Sequence, residues 1–153
     1  MSGFFAGGTT TAITISNDGW WPEIDAHHLA GSLRLGDTVS EERLEVATIN
    51  AVLSVNRELV RFRDTQILSG HASAAEVPGE QVAGETLLIH RYRRAVYCTA
   101  GAELAERYRG LDTTGNGQAS ADTLTPTIDE YRRDARWAIS DILGLTRSTV
   151  ELI

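Results

Sequence analysis

His27 and His28 stand side by side, just after Glu23 and Asp25, and imidazoles beside carboxylates are the ligands of which first-row metal sites are built. On a helix, however, neighbouring side chains point about 100° apart, so the two rings cannot easily turn to one ion. A small metal-dependent hydrolase built here would show bound metal by elemental analysis, but the spacing argues against it. His71 falls in a loop and His90 near a helix start, and neither has a sequence neighbour to orient it. Asp112, Thr114, Asn116 and Gly117 imitate a calcium loop, yet the twelfth position is Thr123 where a bidentate Glu is needed, and the segment reads as a solvated turn. No G-x-S-x-G, H-E-x-x-H or phosphate-cradling glycine loop joins the remaining hydroxyls and carboxylates. The single Cys98 excludes an internal disulfide and reads as a small core residue in mid-helix. No catalytic, metal or cofactor-binding residue is assigned, and no cofactor is expected.

What the chain does concentrate is arginine beside aromatic rings. Arg91, Arg93, Arg94 and Tyr97 form one group, Arg107, Tyr108 and Arg109 a second, and Arg132, Arg133, Arg136 and Trp137 a third. Arginine and aromatic residues are enriched at the cores of protein interfaces. With the pair Trp20 and Trp21, and with Val150 and Leu152 near the C-terminus, they are the candidate interface residues. The same groups also contain ordinary intrahelical neighbours, such as Glu103 with Arg107 and Asp129 with Arg133.

The balance of 21 carboxylates against 14 cationic side chains, all arginine, gives a net charge of −7. Such totals lack the phosphate-neutralising charge that dominates nucleic-acid affinity. A packaging or regulatory factor that binds nucleic acid through Arg91–Arg94 is the alternative from another class; it predicts salt-sensitive DNA binding. The N-terminus lacks the basic start and apolar core of a signal peptide, and no run approaches the roughly 20 apolar residues of a membrane span. Synthesis in the cytoplasm is expected, with no membrane partner.

The elements that would hold these residues are helical. Asp25 can cap a short helix running to about Leu35, before Gly36. Between Ser40 and Leu68 the residues Leu44, Ala47, Ala51, Val55, Leu59 and Phe62 recur every three or four positions, as on a helix burying one face. Thr38 with Glu41 makes a capping-box pattern, Ser40 competes as cap, and Gly70 marks the end. A second stripe, Val46, Ile49, Leu53, Val60 and Ile67, lies on the other side, more apolar surface than one intramolecular contact requires. A loop over 69–84 leads to a helix over 85–109, whose small residues Thr99, Ala100, Gly101 and Ala102 permit close approach by another helix. After a loop over 110–122, Thr125 with Pro126 starts a helix with the stripe Ile128, Tyr131, Ala135, Ala138, Ile139 and Ile142, ended by Gly144. The expectation is a mainly α protein: three main helices and a short leading one over 20–144, an extended N-terminal arm over 1–19, and an extended or strand-like segment over 145–153. The alternation at Ala12–Ile15 suits pairing with a strand of another chain, and no second strand is evident in the body.

Several of these phrases, in order, resemble a known family. Glu106-Arg107-Tyr108-Arg109-Gly110-Leu111-Asp112, Thr127-Ile128-Asp129-Glu130 and Arg133-Asp134-Ala135-Arg136-Trp137-Ala138-Ile139 are similar to the C-terminal half of the GpL head-completion proteins of temperate contractile-tailed phages. Upstream, Trp20-Trp21-Pro22-Glu23-Ile24-Asp25, Arg34-Leu35, Val77-Pro78-Gly79, Gly84-Glu85 and Arg94-Ala95-Val96 follow the family's order. The likeness spans about 20–153 and leaves out the N-terminal arm. It implies a structural virion protein of the neck, at the head–tail interface. Copies of the chain would form a ring, a dodecamer, against the portal protein. That ring closes the DNA-filled head, lets DNA pass its lumen without sequence-specific binding, and presents a surface to the next neck or tail-terminator protein. It implies no reaction and no cofactor.

Overall fold

The computed structural model describes residues 12–33, 35, 39–108 and 126–146. Its helices are α1 (Ala26–Ser32), α2 (Glu41–Glu58), α3 (Val60–Leu68), α4 (Leu87–Tyr108) and α5 (Ile128–Leu143). The strands are only two residues each: β1 (Thr14–Ile15), β2 (Ile24–Asp25), β3 (Gln81–Val82) and β4 (Glu85–Thr86). The fold is mainly α. Residues 1–11 of the expected arm, the calcium-like turn, Thr38, Thr125, Arg109 and 147–153 with Val150 and Leu152 lie outside the described residues.

The helix starts follow local chemistry. Asp25 caps α1 by accepting the His28 N–H at 3.0 Å, and Ser40 caps α2 by accepting the Arg43 N–H at 3.4 Å. Glu41 and Glu42 then sit where the positive end of the helix dipole favours them. The cap of α5 is Thr127, two residues beyond the expected one, because Thr127 has Glu130 three residues on. Its hydroxyl accepts the Glu130 N–H at 3.2 Å, and the Glu130 carboxylate accepts the Thr127 N–H at 2.7 Å. Gly144 ends the helix at φ 68°, a left-handed conformation that costs glycine nothing.

The single helix expected over 40–68 is bent at Leu59, which has φ −96° and ψ 5°. Its N–H still bonds Val55 O at 3.0 Å and its carbonyl accepts the Arg63 N–H at 2.9 Å, so the axis turns without being cut. Leu44, Ala47, Ala51, Val55 and Leu59 are buried as the period requires, and Phe62 is partly buried.

Helix α4 is the central element. It runs antiparallel to α2, with Asn50 bonded to Glu103 and Asn56 to Tyr92. It runs antiparallel to α5 as well, with Arg132 on Glu106 and Arg91 reaching Asp141 O. Ala95, Val96 and Ala100 are fully buried between these neighbours. At Gly101 a Cβ would lie 3.1 Å from the Tyr131 ring and 3.2 Å from Leu33, so glycine lets the aromatic of α5 lie against the α4 backbone.

Two antiparallel ribbons were not foreseen. In the first, Thr14 pairs with Asp25 and Ile15 with Ile24, so the alternating segment from Ala12 pairs within its own chain, and Ile15 joins the core. The second turns through Ala83 and Gly84, both at positive φ, as the two-residue hairpin turn of type I′ demands.

Candidate functional site

Six of the nine large exposed apolar side chains among the described residues gather on one ridge, the others being Val82, Leu143 and Leu145. Val46, Ile49, Leu53, Val60 and Ile67, the second stripe of the sequence, are joined by Leu68, which is 89% exposed. The cause is geometric. Val46, Leu53, Val60 and Ile67 are seven residues apart, so at 3.6 residues per turn they stay on one side, opposite Leu44, Ala51, Val55 and Phe62. The inner stripe is taken up by α4 and the Trp pair, and the outer one is left to solvent. Contiguous patches of this kind mark contact surfaces far more often than scattered exposed leucines do.

Charge is unevenly shared along the ridge. Its start carries Glu41, Glu42 and Glu45 with one arginine, Arg43; its second half carries Arg57, Arg61 and Arg63 with Glu58 and Asp64. Beside the start, between α2 and the end of α4, a cleft of about 410 Å³ is floored by Val46, Ala47 and Leu104 and rimmed by Glu42, Arg43, Glu103 and Arg107. A second groove of about 490 Å³ runs between α2 and α5 over the small residues Thr99 and Ala102. Arg132 and Arg136 of α5 and Glu58 of α2 line it, and Glu106 of α4 pairs with Arg132 at 2.9 Å.

The Arg/aromatic residues divide between structural work and surface. Trp20 and Trp21 are only 6% and 3% exposed, so they have no free ring face to offer a partner. Trp21 stacks on Tyr92 at 4.3 Å and 8° between planes, and Trp20 meets Trp21 edge-on at 4.7 Å. Trp20 Nε1 donates to His71 O at 3.0 Å, whereas Trp21 Nε1 is buried without a hydrogen-bond partner among the described residues. The surrounding loop is held by Asp18, whose carboxylate accepts the N–H groups of Trp20 and Trp21 at 3.0 and 2.9 Å and pairs with Arg63 at 2.9 Å. Burial raises the Asp18 pKa, but the Trp21 N–H, Arg63 and the Trp20 N–H outweigh it, so the net shift is downward.

Arg93 forks onto Glu85 at 2.7 and 3.0 Å, and that hydrogen-bonded pairing holds the Glu85 carboxyl below its usual range. Arg94 reaches Asp134 at 3.5 Å, Arg107 pairs with Glu103 at 3.1 Å, and Arg132 with Glu106 at 2.9 Å. Arg133 turns to Asp134 at 3.1 Å, not to Asp129, and lies 4.7 Å over the Trp137 ring. Tyr97 is buried, its hydroxyl 2.6 Å from His28 Nδ1. Arg136 is exposed on α5, and Tyr108 is the last residue of α4. Arg93, Arg94, Arg107, Arg132 and Arg133 are thus already matched by carboxylates, while the ridge, visible as surplus periodicity, is the larger unsatisfied feature.

The two adjacent histidines go separate ways: His28 to Tyr97, and His27 to within 3.7 Å of Glu41. Among the described residues no three His, Cys, Asp or Glu converge as metal ligands would. Cys98 is buried with Ala102, Tyr131 and Ala135, and burial pushes its thiol pKa up, away from nucleophile chemistry. No helix among the described residues is long and apolar enough to cross a membrane.

The sequence profile of the phage head completion protein (GPL) family matches residues 15–153. Over 139 residues the chain is 38% identical to the head completion/stabilization protein of Escherichia phage P2, a match covering 91% of this chain and 82% of that one. No solved structure matches it.

Proposed function

This chain belongs to the phage head completion protein (GPL) family, and on that premise we propose that it acts as the adaptor between head and tail. Head completion is a structural task of the virion. In the finer reading, copies assemble as a ring, a dodecamer, against the portal. The ring closes the packed head and offers its far side to the next neck or tail-terminator protein.

The observation that carries this reading is the apolar ridge of α2–α3. A side chain such as Leu53, 63% exposed, gains roughly 25 cal/mol for each Å² of apolar area removed from water, and the described residues leave that gain unused. The acidic balance of the chain supports a lumen through which DNA passes without adhering; a strongly positive inner wall would contradict this. Nucleic-acid binding by Arg91–Arg94 draws no support from the geometry, because Arg93 and Arg94 face carboxylates and Arg91 reaches a carbonyl.

The test mixes the purified chain with the portal of the same phage and follows assembly by analytical ultracentrifugation and electron microscopy. The wild-type chain sediments with portal as a ring. Leu53→Glu keeps wild-type stability within about 0.5 kcal/mol, as surface changes do, but assembles poorly. Monomer alone in the presence of portal would overturn the adaptor reading. Monomer without portal would not, since the ring needs its template.

A further inference from the structure

We draw no further inference here: the strongest candidate, the exposed apolar ridge of α2 and α3 with the cleft of about 410 Å³ beside its start, carries nothing beyond the site already described, because the charges toward its Ile67–Leu68 end balance once Asp18, ion-paired to Arg63, is counted, and nothing in the structure shows what covers it.

Discussion

Replacing Tyr92 by Phe isolates one hydroxyl that closes a three-way polar ring. The Tyr92 hydroxyl accepts from Asn17 Nδ2 at 2.7 Å and donates to Asn56 Oδ1 at 2.7 Å, and Asn56 Nδ2 donates back to Asn17 Oδ1 at 2.8 Å. The ring joins the N-terminal ribbon, α2 and α4. Phe keeps the stacking on Trp21, so only the polar contribution changes. Two hydrogen bonds at about 1 kcal/mol each are lost, and Asn56 Oδ1 loses its donor, which adds up to about 1 kcal/mol at a half-buried site that water can partly reach. The expected loss is about 2–3 kcal/mol, a fall of roughly 4–12 °C in Tm for a chain of this size. Urea unfolding followed by tryptophan fluorescence measures it, with an unchanged slope against denaturant. Hydrogen exchange adds a local readout: the Ala26 amide, bonded to Ile13 O at 2.9 Å, loses protection first. Burial pushes the Tyr92 phenol well up, so it stays protonated and the difference between the proteins is flat from pH 5 to 9. A loss under about 0.5 kcal/mol, or additive effects of Tyr92→Phe and Asn56→Ala in a double-mutant cycle, would refute the view that this ring locks the Trp pair into the core.

Two further outcomes follow from the core and the loop. Gly101→Val drives side-chain atoms into the Tyr131 ring and Leu33 and costs about 2–3 kcal/mol by overpacking; calorimetry showing an equal or higher Tm would contradict the packing described. Because the folded Asp18 carboxyl titrates below its unfolded value, its stabilisation is complete above the ordinary carboxylate range and fades as pH falls through the folded value, below about 4. Asp18→Asn therefore weakens the protein at neutral pH and flattens the acid limb of its stability profile, while an unchanged limb would show that the Asp18 contacts are thermodynamically idle.

Much of the architecture was legible locally. Periodicity identified α2 with α3, α5 and both stripes of α2, α4 was read from the loops that bound it, and the caps Asp25 and Ser40 and the stop at Gly144 were readable from residue type alone. The misses have local causes too. The β3–β4 ribbon escaped notice because Ala83, and not Asn, Asp or Gly, occupies the first turn position at positive φ. The α5 cap was placed two residues early because Pro126 is as good a signal as the Thr127–Glu130 box that forms.

The candidate site was legible in part. The surplus apolar stripe could be read from the spacing, as could the Arg/aromatic groups, but their weighting could not. Trp20 and Trp21 read as a docking anchor, yet they close against Tyr92, more than seventy residues along the chain, and a stack of that separation leaves no local trace. The arginines likewise looked available until Glu85, Glu106 and Asp134 met them. By itself the sequence determined that α2–α3 has two apolar faces, because helical period depends only on the order of side chains. Which face is buried, which cations are matched, and that a cleft opens at the start of the ridge were decided by the tertiary structure alone, since each depends on elements distant in sequence sharing one volume.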